Sequence, residues 1–143
     1  KIASHYAAIV IDTRPSFSLM TEMALVAATD ALIPVEPRYL ETVGLLSVIG
    51  KIHDIRDGWR IPNLRVSGVL VTKMDRRVRG HHNMLNDLKA HPMLSKLLCG
   101  VIPMNEAVSY AHRYHKSIFM QDPKAPASKA YAQLVGRLVK GGV

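Results

Sequence analysis

Ala7-Ala8-Ile9-Val10-Ile11-Asp12-Thr13-Arg14-Pro15 is the stretch on which the reading of this chain turns. Its apolar run has strand length and does not alternate with polar residues, the pattern of a strand covered on both faces. A carboxylate and a hydroxyl follow, then a proline, which a strand interior does not accept. In a parallel sheet this arrangement delivers an aspartate to the carboxyl edge, where open α/β sheets bind ligands. Three further runs share the character: Ala31–Val35, Val66–Val71 and Cys99–Ile102. Segments of helical period separate them. The expected fold class is therefore α/β: three layers, a mostly parallel sheet flanked by helices, in one unit covering residues 1–143.

The helices follow from periodicity and punctuation. Ser18–Ala28 is rich in Leu, Met and Ala, with Ser18 as its cap. Pro37 opens a longer helix striped by Leu45, Val48, Ile49, Ile52 and Ile55 and closed by Gly58. Arg79–Lys89 and Pro92–Leu98 read as one helix broken at His91-Pro92. Asn105–Tyr114 is a short helix with Val108 and Ala111 inward, and Pro126–Val139 places Ala127, Tyr131, Leu134 and Leu138 on one face. The tail Lys140-Gly141-Gly142-Val143 has the look of a phosphate loop's opening, but no Gly-Lys-Thr follows, so it reads as coincidence.

The chain has 143 residues, 48% hydrophobic and 21% charged, which is the balance of a globular protein. It begins at Lys1 and enters its first apolar run by Tyr6, which leads us to expect an excised or proteolysed fragment. No apolar stretch approaches the roughly 18 residues of a membrane span. Cys99 is the only cysteine, so no internal disulfide forms and a reducing cytosol is the expected setting. The net charge of +8 calls for a polyanionic partner, nucleic acid ahead of acidic membrane. The alternative is that a half-domain displays charge its other half would balance.

Chemistry collects behind the strands: Asp12-Thr13, Glu36-Pro37, Thr72-Lys73-Met74-Asp75 and Pro103-Met104-Asn105. Asp12 has the form of the magnesium-side motif of a nucleotide hydrolase, where a carboxylate holds a metal-bound water; a turn or cap aspartate is the plainer alternative. The Gly-Lys-Ser/Thr phosphate loop that accompanies such a motif does not occur in these residues. Lys73 to His82 carries Arg76, Arg77 and Arg79, the densest basic run. Arginines pair with phosphate oxygens, and the scarcity of interleaved aromatics points to sequence-blind duplex binding rather than base stacking. A solvated surface is the alternative for any such run. His112 and His115 share a helical face but lack a matched carboxylate or cysteine, so no histidine metal site is read.

These pieces, in order, resemble the ParA/Soj/MinD group of deviant Walker ATPases, the partition ParA branch above all. They are Ile9-Val10-Ile11-Asp12-Thr13, Ala24–Ala28 leading to Leu32-Ile33-Pro34-Val35-Glu36-Pro37, then Tyr39-Leu40 and Gly44-Leu45. Gly68–Asp75, Val101–Asn105, Lys116-Ser117-Ile118, Asp122-Pro123-Lys124 and Lys129-Ala130-Tyr131 complete the series. The resemblance covers Tyr6 to Leu138 and implies the carboxy-terminal portion of a P-loop NTPase-like domain without its P-loop. It implies a bacterial, cytoplasmic, nucleoid-associated ATPase that uses ATP and Mg, dimerises with ATP, and coats double-stranded DNA without sequence preference. A ParB-type partner would stimulate hydrolysis. Membrane attachment is not implied. Carried over by position, Asp12 is the Walker B-type aspartate on the magnesium side, through water. Thr72, Lys73, Met74, Pro103, Met104 and Asn105 border the nucleotide base, and Arg76, Arg77, Arg79, Lys89 and Lys116 contact DNA. Arg14, Met23, Met104, Tyr110 and His115-Lys116-Ser117-Ile118 depart from the family pattern and suggest a divergent plasmid-borne or integrated-element branch. Without the phosphate loop, the chain by itself is expected to be inactive. The alternative is a stand-alone, non-catalytic DNA- or partner-binding module derived from this fold.

Overall fold

Leu70 and Val71 lie at the centre of a three-stranded parallel sheet of order β1-β2-β3, seen in a computed structural model that describes the backbone of residues 5–139. Side chains are described for all of these except 39–43 and 139. The elements run α1 (Leu19–Ala27), β1 (Asp30–Val35), α2 (Tyr39–Gly58), β2 (Arg65–Met74), α3 (Arg79–Ala90), α4 (Leu94–Leu97), β3 (Leu98–Pro103), α5 (Glu106–Arg113), α6 (Ile118–Gln121) and α7 (Pro126–Val139). Parallel neighbours require long crossovers, which α2 supplies between β1 and β2, and α3 with α4 between β2 and β3. The tail from Lys140 to Val143 and the residues preceding His5 lie outside the described residues.

The sheet is covered on both faces, which is why its central strand is apolar without alternation. On one face Val35, Val69 and Val71 pack with Leu45 and Ile49 of α2, Met84 and Leu88 of α3, and Leu94 of α4. On the other, Leu70, Cys99 and Ile102 pack with Ala127 and Leu134 of α7. A third cluster of Ala31, Ile52 and Leu64, with Leu25 and Ala28 against it, ties α1 to the amino end of the sheet. Trp59 also donates to Glu22 Oε1 at 2.7 Å across that seam. Gly100 lies opposite Leu70, and a Cβ there would approach Leu70 Cδ1 to 3.1 Å, so the missing side chain permits the pairing distance. Cys99 is buried, with its thiol 3.2 Å from the carbonyl of Val69.

Most expected elements are present. Ser18 caps α1, the stripe of α2 faces inward at Leu45, Ile49 and Ile52, and the chain breaks between α3 and α4 at His91-Pro92. The expected strand at Ala7–Ile11 is not formed: the segment is irregular and Val10 is 91% exposed. A strand exists through its ladder, and no described strand pairs with this run, so its backbone groups stay with water. Val108 and Leu138 are also exposed rather than inward, because no described element covers α5 beyond Ala111 or the last turn of α7 beyond Leu134. The turn of helix at Ile118–Gln121, capped by Ser117, was not anticipated.

Candidate functional site at the carboxyl edge

Two strand ends meet directly. The Met104 N–H donates to the carbonyl of Met74 at 2.8 Å, which joins the loop after β2 to the loop after β3. The end of β1 is joined on the other side, where Thr72 Oγ1 donates to the carbonyl of Val35 at 3.3 Å. Lys73 takes a left-handed backbone, φ 52°, and its ammonium pairs with Glu36. Glu36 also faces Arg38 Nε at 3.3 Å, and the Lys73 hydrogen bond holds its carboxyl below the usual carboxylate range. A left-handed lysine is strained, and such strain persists only where the surroundings hold it.

The expected base-bordering residues divide by environment. Met74 is buried in the core, so it offers the edge only its backbone. Met104 is 56% exposed beside it. Asn105 caps α5 by accepting the Ala107 N–H at 3.1 Å through its side-chain oxygen. Pro103, half-buried, ends β3. Asp12 is exposed on the irregular segment ahead of α1 and belongs to no strand, so the sheet does not bring it to this edge.

The basic loop is more ordered than a charge run suggests. Asp75 accepts from the Arg77 backbone N–H at 2.9 Å, from its Nε at 3.0 Å and from its Nη2 at 2.8 Å. These bonds, the side-chain pair foremost, hold the Asp75 carboxyl far below the usual range. The Asp75 N–H donates to His81 Nδ1 at 3.1 Å, and His82 Nε2 donates to the carbonyl of Arg76 at 2.8 Å. All three arginines are exposed, but Arg77 is paired with Asp75, whereas Arg76 and Arg79 have no ion pair among the described residues. Lys89 is exposed in the last turn of α3, roughly 15 Å along the helix from Arg79 at 1.5 Å per residue. Lys116, also exposed, follows α5.

Sequence reasoning missed the Glu36–Lys73 pair and the histidine pins. The first depends on strand register: Val35 opposite Val71 sets the following residues of the two strands side by side. The histidines were visible only as part of a basic run. Among the described residues no three His, Cys, Asp or Glu side chains gather closely enough for a metal ion, and no helix is long and apolar enough to cross a membrane.

A family model described as an AAA domain matches residues 1–66. The chromosome partitioning protein ParA of Caulobacter vibrioides is 31% identical over 134 residues, which is 94% of this chain and 49% of that protein. The chromosome-partitioning ATPase Soj of Thermus thermophilus is 32% identical over 129 residues, 90% of this chain and 51% of Soj. The sporulation initiation inhibitor protein Soj of Bacillus subtilis is 28% identical over 141 residues, 99% of this chain and 55% of that protein. The chain spans about half the length of the curated relatives it matches. The cell division ATPase MinD of Pyrococcus furiosus superposes with a TM-score of 0.64 at 16% identity, over 92% of this chain and 51% of MinD. MinD of Aquifex aeolicus gives 0.63 at 22% identity, over 88% and 50%. Along nearly its whole length the chain is homologous to the ParA/Soj partition ATPases, and it has the parallel α/β, P-loop NTPase-like fold of the MinD ATPases.

Proposed function

We propose that this chain is the carboxy-terminal part of a ParA-type partition ATPase that binds ATP with Mg at the carboxyl edge of its sheet. It dimerises with ATP, binds duplex DNA without reading sequence, and is discharged by a ParB-type partner on the bacterial nucleoid. The observation that carries this reading is the junction of the β2 and β3 ends through Met74 and Met104, with exposed Arg76 and Arg79 in the loop that follows. The joined ends offer a platform for a base, bordered by Thr72, Lys73 and Asn105. Bound magnesium would neutralise charge developing on the phosphates, and Asp12, off this edge in the described chain, would hold one of its waters once residues 7–11 pair as a strand. Cradling of the phosphates falls to residues outside this sequence, which contains no Gly-Lys-Ser/Thr.

A second reading is a DNA- or partner-binding module that needs no nucleotide, supported by the exposed Arg76 and Arg79 alone. Duplex binding measured with and without Mg-ATP, on the natural full-length protein, separates the two. Binding that requires ATP and is lost in Asp12→Ala supports the ATPase. Binding indifferent to ATP supports the module. No salt-sensitive binding at all removes both DNA readings.

A further inference from the structure

At the end of the sheet opposite the carboxyl edge, α2, α4 and the start of β2 enclose a concavity of about 340 Å3. Its floor is apolar, built from Ile49, Val66 and Leu97, with Met93 at the mouth and 42% exposed. Its rim is basic: Arg56 on α2, Arg65 on β2 and Lys96 on α4, with the His53 imidazole beside them. Arg56 and Arg65 each lean on one carboxylate, Asp57 at 2.7 Å and Asp30 at 2.6 Å. The Lys96 ammonium has no partner among the described residues. Next to it a second, shallow and open concavity, about 580 Å3, is lined by Arg56, Asp57, Arg60, Ile61 and Pro62, with Asp57 engaged by Arg56. Arg56 borders both, so the two hollows are neighbours, and Lys96 and Arg60 are their cations without a carboxylate partner among the described residues.

From this charge complementarity we propose that the groove binds an acidic segment of a partner protein, laid across both concavities. Its carboxylates meet Lys96, Arg56 and Arg60, and one apolar side chain fills the smaller hollow. Two neighbouring hollows side by side fit an extended peptide better than a compact anion. A duplex presents phosphates on a convex cylinder and has nothing to place on an apolar floor. An exposed methionine at the mouth adapts to side chains of different shape. The inference is independent of the nucleotide reading, because it uses the other end of the sheet.

The test is fluorescence anisotropy with a labelled peptide, acetyl-Asp-Glu-Leu-Asp-Glu-Phe-Asp-Glu-amide, against a control in which Leu and Phe are Ser. Lys96→Glu and Met93→Asp change exposed positions, and Lys96→Ala provides a milder version. The expected result is weakening by about tenfold or more in Lys96→Glu and Met93→Asp, the size of an interface anchor, with a similar loss for the control peptide. Arg79→Ala, at the opposite end, is expected to bind as the unaltered chain does. Absence of binding at millimolar peptide, equal binding of the control, or indifference to Lys96→Glu overturns the proposal. So does transfer of the effect to another anion: a 20-base-pair duplex or phosphatidylglycerol vesicles that lose binding in these variants while the peptide does not.

Discussion

Val71 and Val10 each sit within an apolar run of strand length, yet Val71 is fully buried and Val10 is 91% exposed. The difference lies in their surroundings. Val71 pairs with Val35 on one side and Val101 on the other, with helices over both faces. The run at residues 7–11 has no ladder on either side among the described residues. An apolar run states what a segment requires, and its neighbours decide whether the requirement is met.

The sharpest way to break the contrast is a pair of truncations compared by urea denaturation. Leu88→Ala, at 1% exposure, is expected to cost about 2–5 kcal/mol, whereas Val10→Ala is expected to stay within about 0.5 kcal/mol. Equal costs would show that the 7–11 run is packed in solution. Gly100→Ala probes the tightness of the β2–β3 pairing. With Leu70 Cδ1 only 3.1 Å from the new Cβ, a loss of about 1 kcal/mol is expected, and an unchanged midpoint would mean that Leu70 turns aside freely. Asn105→Ala removes the cap of α5 and should cost about 1 kcal/mol, together with lowered amide-exchange protection at Ala107.

The smallest effect concerns acid. Arg77 depresses the Asp75 carboxyl, so this contact stabilises the loop fully above the unfolded carboxylate value, about 3.9. The stabilisation is lost as pH falls through the lower folded value. Glu36 and Asp30 are depressed by Lys73 and Arg65 and follow the same sign. Asp75→Asn should therefore lower stability slightly at neutral pH and flatten the acid limb, so that the two proteins converge as pH falls below about 4. A steepened limb would contradict the assignment of Arg77 to Asp75.

The parts of the fold legible beforehand were those fixed by local chemistry. Ser18 ahead of α1, the 3.6-residue stripe of α2 and the proline that starts α7 announce themselves without knowledge of the rest. Val108 and Leu138 were misread because periodicity identifies a face and not what covers it. The carboxyl edge was legible as a place. Its internal wiring was not: the Glu36–Lys73 pair depends on register between strands, and Arg77, although exposed, is paired with Asp75, which a charge count does not reveal.

The lone thiol of Cys99 lies under α7, against the carbonyl of Val69, and burial pushes its pKa up. A thiol-specific reagent meets it when α7 parts from the sheet. With no second cysteine to blur the signal, the labelling rate under native conditions becomes a clock for that opening. Ligands that engage the folded chain should slow the clock in proportion to their occupancy.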